Sequence, residues 1–239
     1  MTASGKTAVE APASSTRAVD RAMALLSEVC SEPSLTLTDC ARRTQLPAST
    51  ALRLLRTMEA SGFVSRDSTG NFEAGPRMVQ FGTRALSSNR ILQLARPALA
   101  TVADRTGESA YLALPGPGRT AVYAAAHEGT WPIRHSSWVG REVGLDASAV
   151  RAALAGETNA AGYVTSHGRL EPDITAIAAP VRLGDRVLAV VTILGPSYRL
   201  TGSVLSDCGA VMTGIAHELE LQLGTPSTTR TPYGARLNA

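Results

Sequence analysis

The sequence predicts an α+β chain of two domains, a small helical domain closed by a hairpin and a larger mixed domain behind it. Three observations predict this. The chain has 239 residues, 44% of them hydrophobic, which is enough for more than one core. Its first third reads at the helical period and ends in one hairpin pattern, whereas beyond Gly107 hairpin patterns mix with helices. Charge divides in the same place. Residues 17–90 hold 10 Arg against 7 acidic residues, and residues 91–239 hold 12 Arg against 12.

The elements follow in order. Residues 1–16 are rich in Ala, Ser, Thr and Pro and read as a disordered tail. Helical periodicity starts at Arg17, with Val19, Met23, Leu26 and Cys30 on one stripe that reads as the inward face, and Pro33 ends it. In "TLTDCARRTQL", Thr36 and Asp39 resemble a capping box before a second short helix, whose inward set is Leu37, Cys40, Ala41 and Thr44. Pro47 opens a third helix, in which Leu52, Leu55 and Met58 point inward, and Gly62 supplies its C-cap. "FVSRDSTGNFEAG" is a β-hairpin around a Ser-Thr-Gly-Asn turn. Three short helices and a hairpin are the layout of a winged helix-turn-helix over 17–75. "RMVQFGTRALSS" supplies a helical linker over 76–90. The second domain, 91–223, opens with a helix carrying Ile91, Ala95, Leu99, Val102 and Thr106 on one face. "SAYLALP" with "TAVYAAAHE", and "TAIAAPVRL" with "DRVLAVVTILG", are two hairpins around "GPGR" and "GD". "DASAVRAALAG" is a short helix, and Leu205, Cys208, Met212, Ile215 and Leu219 stripe the last one. Residues 224–239 read as a second disordered tail.

Several chemistries are excluded or weakened. Cys30, Cys40 and Cys208 are odd in number and lack a CxxC spacing, which argues against a disulfide framework or zinc site and fits a reducing cytoplasm. The longest apolar run, Val187–Leu194, is too short to cross a membrane, and the N-terminus has no apolar signal core. His127, His135, His167 and His217 have no metal-ligand spacing. Trp131 and Trp138 read by default as packing residues, with a pocket or a subunit interface as the alternatives. No nucleophile–base pair or phosphate loop stands out, so neither an enzyme, a metal nor a cofactor is expected; Gly116 and Gly118 are hairpin punctuation.

The third helix carries the functional signal. Its inward set leaves Ser49, Thr50, Arg53, Arg56 and Thr57 outward. The N-terminal half of such a helix enters the major groove, where Arg can pair bidentately with guanine and Ser or Thr can reach bases or phosphates. A solvated face would carry the same residues. The capped helix before it, the turn at Gln45–Pro47 and the hairpin after it favour DNA. Arg42 and Arg43 on the second helix read as phosphate contacts or solubilising charges, and Arg66 near the hairpin tip as a phosphate or minor-groove contact or a solvated strand end.

"RAVDRAMALLSEV", "LTLTDCARRTQLPASTALRLLRTMEASGFVSRDSTGNFEAG" and "ITAIAAPVRLGDRVLAVVTILGPSYRLT" together resemble the IclR family of bacterial transcription regulators, over Ser15 to Leu223. The resemblance implies a C-terminal GAF-like effector domain of mixed α/β structure. It also implies homodimers, often paired into tetramers, on palindromic or repeated double-stranded operators. One departure is local. Only "GETNA" separates Ala155 from Ala161, where the family carries some tens of residues of helices that wall the effector pocket. At the family's small-acid contacts this chain has Ser166, Ala176, Thr192 and Leu194, beside the helix start at Asp146 and Ser148. Two of the first four are apolar, which points away from glyoxylate-like or pyruvate-like acids. Three functions stay open: an effector-modulated regulator, a ligand-independent regulator with a vestigial sensor, and a small-molecule-binding protein or enzyme whose winged helix mediates protein contacts.

Overall fold

The computed structural model describes residues 16–117, 120–134, 138–144 and 148–225. Both predicted tails, apart from Thr16, Gly224 and Thr225, lie outside the described residues, as do His135 and Asp146. The chain divides into two compact units, Met1–Leu86 and Ser87–Ala239.

The first unit contains α1 (Arg17–Ser31), α2 (Leu37–Arg43), α3 (Ala48–Ala60), β1 (Val64–Arg66) and β2 (Phe72–Ala74). Most of α4 (Pro76–Ser88) also belongs to it. Leu25, Val29, Leu35, Cys40, Ala51, Leu55, Met58, Val64 and Phe72 form its core. The strands pair antiparallel, Val64 with Ala74 and Arg66 with Phe72. Leu35 adds a bridge to Phe72, tying the hairpin to the segment ahead of α2.

Two predicted helix faces need correction. On α1 the inward residues are Leu25 and Val29, while Val19 and Met23 are 53% and 55% exposed and Cys30 is exposed. The helix has two apolar stripes about a third of a turn apart. The hairpin and α3 cover the one through Ala22, Leu25 and Val29. On α3 the fully buried residue of the first turn is Ala51, and Leu52 is only half-buried. Ala51, Leu55 and Met58 share the buried side of the helix, and Leu52, one step round from Ala51, is left at its edge.

The second unit contains α5 (Arg90–Thr106), β3 (Ser109–Pro115), β4 (Thr120–His127), β5 (Glu142–Gly144), α6 (Ala149–Leu154), β6 (Val164–His167), β7 (Ile174–Leu183), β8 (Arg186–Pro196) and α7 (Gly202–Gly224). Its six strands run β5-β4-β3-β8-β7-β6, antiparallel throughout. The two predicted hairpins are β3–β4 and β7–β8. The edge strands β5 and β6 were not expected from sequence, because three- and four-residue strands carry too little alternation to read. Helices α5 and α7 cover one face through Leu99, Val102, Ile193, Met212 and Ile215. The short α6 covers the other through Ala149, Val150 and Ala153.

Two close approaches shape this unit. Gly209 in α7 leaves room for the Tyr163 ring, which a Cβ there would strike. Gly107 ends α5 in the left-handed region, and a Cβ there would strike the Trp131 indole. Glu108, 1% exposed, is paired by Arg199, whose Nη2 donates to Glu108 Oε2 at 2.9 Å and to the Ile133 carbonyl at 3.0 Å. Trp131 lies against that guanidinium, 5.1 Å from its ring centre, and remains 45% exposed rather than packed as expected.

Candidate nucleic-acid interface and effector face

The turn between α2 and α3 is set by local hydrogen bonds. Thr36 Oγ1 accepts from the Asp39 backbone N–H at 3.1 Å and donates to the Asp39 carboxylate at 2.7 Å, so the cap forms in a variant geometry. At the other end, Leu46 N–H reaches Ala41 O at 2.9 Å and Gln45 N–H reaches Arg42 O at 3.2 Å, with Gln45 at φ 54°. This is a Schellman ending with glutamine at the position glycine usually takes. Pro47 then caps α3 with φ −55°.

This turn sets the exposed face of α3. Ser49, Arg53, Arg56 and Thr57 are exposed and Thr50 is half-buried. Ser49, Leu52, Arg53, Arg56 and Thr57 line one concave surface running to Ala60 and Ser61. The cations divide into two groups. Arg42 donates to Asp39 at 2.9 Å. Arg43 lies between Glu28 at 3.5 Å and Glu32 at 3.1 Å. Arg66 pairs with Glu59 at 3.1 Å and stacks 4.4 Å from the Phe72 ring centre. Arg53 and Arg56 have no ion pair among the described residues.

The hairpin turn is organised by Asp67. Its Oδ1 accepts from the Thr69 hydroxyl at 2.7 Å and from the backbone N–H groups of Thr69 and Asn71 at 2.8 and 2.9 Å. Those donors, the Thr69 hydroxyl foremost, hold its carboxyl at about 2. The exposed turn residues Ser68, Thr69 and Gly70 bring no cation.

In the second unit, the effector positions lie on the α6-covered face. Ala176 and Leu194 are buried, and Ser166 is half-buried. The hydroxyls are engaged internally: Thr192 donates to Ile177 O at 2.9 Å, Ser166 accepts from Ala149 N–H at 3.2 Å, and Ser148 caps α6 by accepting from Arg151 N–H at 3.2 Å. Nine residues join α6 to β6, and Asn159 folds them by accepting from the N–H groups of Ala161 and Tyr163 at 3.0 and 3.2 Å. Tyr123 and Tyr111 lie on the same face, their rings 5.1 Å apart, with Trp138 6.2 Å from Tyr123. Burial pushes the Tyr111 phenol up to about 12 and Tyr123 higher still.

Residues 18–68 match the IclR helix-turn-helix domain, a stretch that runs from α1 through β1. The HTH-type transcriptional regulator BhcR of Paracoccus denitrificans is 28% identical over 85% of this chain and 86% of its own. The chain belongs to the IclR family. As an IclR-family protein it is a DNA-binding transcriptional regulator. The IclR fold extends across both units. An IclR regulator structure from Alicyclobacillus acidocaldarius aligns with a TM-score of 0.77 at 23% identity, over 88% of this chain and all of that one. An IclR homologue from Microbacterium hydrocarbonoxydans, solved with 4-hydroxybenzoate, aligns with a TM-score of 0.72 at 20% identity, over 86% of this chain and 98% of that one. Sequence reasoning passed over Asp67, Glu59, Tyr123 and Arg199 in this IclR chain. The "DSTGN" Asx-turn pattern could have found Asp67. The others depend on partners that lie in other elements.

Proposed function

We propose that this IclR-family regulator binds a palindromic or repeated operator as a dimer, alone or as paired dimers, acting by binding and without catalysis in the cytoplasm. The observation that carries the reading is that Arg53 and Arg56 are exposed on the outer face of α3 and have no ion pair among the described residues. Arg53 near the N-terminal half is the base reader, Ser49, Thr50, Arg56 and Thr57 support it on bases and phosphates, and Arg42, Arg43 and Arg66 bear on phosphate only by giving up their carboxylates. Dimerisation is supported by the exposed apolar residues of the first unit: Val19 and Met23 on α1, and Val79 at 69%, Phe81 at 46% and Leu86 at 43% on α4. Twofold pairing also matches two half-sites.

The second unit senses a small effector. Support comes from the same fold holding 4-hydroxybenzoate in the Microbacterium homologue. The site lies between Thr192 on β8, Ser166 on β6 and the start of α6, the region of Asp146, Ser148, Ala176 and Leu194. The internal hydrogen bonds of Ser166 and Thr192 favour a second reading, in which the sensor is vestigial and abundance alone sets occupancy. Genome-wide mapping of bound DNA, followed by gel shifts on the recovered sites, tests the main reading. Symmetric or repeated sites are expected. Sequence-blind binding overturns it.

A further inference from the structure

One polar atom on the effector face is unsatisfied. Tyr123 is 1% exposed, and its buried hydroxyl has no hydrogen-bond partner among the described residues. A buried donor left unpaired destabilises the state that contains it, and native proteins seldom keep one without use. We propose that Tyr123 is the polar anchor of an effector subsite on the β3–β4 side of this face, beside the α6-covered half, and that the effector is a small neutral molecule with an apolar ring and a carbonyl or ether oxygen. This rests on the reading of the second unit as a sensor.

The surroundings select that chemistry. Tyr123 sits on the β3–β4 half of the face, while α6 lies over the β7–β8 half and fills it with Ala149, Val150 and Ala153. The hydroxyls of Ser166, Thr192 and Ser148 are already engaged. The remaining buried layer is alanine-rich and aromatic: Ala113, Ala121, Tyr111, Tyr123 and the half-buried Trp138. Flat rings beside small side chains suit a flat apolar ligand. The phenol keeps its proton, because burial resists ionisation, so Tyr123 donates and the ligand accepts. Among the described residues the only buried charged side chain is Glu108, which Arg199 pairs. Glu128 acts on Tyr111 with the wrong sign for an anion, and Arg141 lies 5.1 Å over the Trp138 ring, itself exposed. A carboxylate would therefore enter without a buried counter-charge.

The test uses the full chain, wild type and Tyr123→Phe, with three one-ring probes: acetophenone, ethylbenzene without the oxygen, and benzoate with a charge. Thermal shift and calorimetric titration measure binding, and gel shift on the mapped operator measures response. Acetophenone is expected to bind the wild type best and to bind Tyr123→Phe about tenfold more weakly, the loss of one hydrogen bond. Tyr123→Phe alone is expected to melt at or above the wild-type temperature, since it removes an unpaired hydroxyl. No binding of acetophenone at millimolar concentration, equal binding by both proteins, or tighter binding of benzoate overturns the proposal. Binding that requires Tyr123 but leaves operator affinity unchanged upholds the site and instead removes the sensor reading.

Discussion

Arg53 and Arg66 show how one residue type divides by its neighbours. Both are exposed arginines of the first unit, but Arg66 faces Glu59 and Phe72, whereas Arg53 faces solvent. Arg53→Ala is expected to cost about 1–3 kcal/mol on the operator and little on random DNA, measured by competition gel shift. Equal losses on both would remove it as a base reader. Arg42→Ala, by contrast, is expected to weaken both alike. Gln45 offers a stability test at the same scale. It holds φ 54° with a full side chain, so Gln45→Gly should raise stability in urea by about 1 kcal/mol.

The hairpin is braced by Asp67. Its carboxyl lies at about 2, below the ordinary value near 4. A depressed folded-state value gives stability that is fully present above pH 4 and lost as pH falls from about 4 to about 2. Asp67→Asn should remove that component of the acid-unfolding profile; an unchanged profile would place the acid sensitivity elsewhere. In the second unit, Arg199 covers a buried carboxylate and holds the Ile133 carbonyl. Arg199→Ala leaves Glu108 buried and unpaired, and a loss of about 3–5 kcal/mol in denaturant melts is expected. A loss below 1 kcal/mol would mean that water reaches Glu108. Legibility in the sequence followed element length. Long stripes such as Leu99–Val102 and Cys208–Met212–Ile215–Leu219 pointed to the right face. On α1 the stripe through Val19 and Met23 was read as core, because periodicity shows that a face is apolar and not what covers it. The outward set of α3 could be read from spacing, but the carboxylates that occupy Arg43 and Arg66 come from other elements.

For the whole molecule, the exposed stripe on α1 and the unburied apolar side chains of α4 predict an association surface. Val19→Glu with Met23→Glu should shift the chain towards monomer in sedimentation and weaken operator binding, while leaving the helical circular dichroism signal intact. A double variant that stays dimeric would place the interface elsewhere. Operator affinity should also fall with salt, because neutralising phosphates releases counterions.

The internal pairing of Arg42, Arg43 and Arg66 bears on how the regulator finds its site. Genomic DNA is a vast excess of wrong sites, and the time spent on them is set by sequence-independent attraction to phosphate. Where Arg42, Arg43 and Arg66 are held by Asp39, Glu28, Glu32 and Glu59, those three add less to that attraction than free arginines would. The regulator is then expected to leave random sequence sooner and to lose fewer copies to the chromosome at large. Fewer molecules per cell then suffice to occupy a promoter. Converting Glu59 or Glu32 to Gln should lengthen dwell times on random DNA in single-molecule tracking while changing dwell at the operator little.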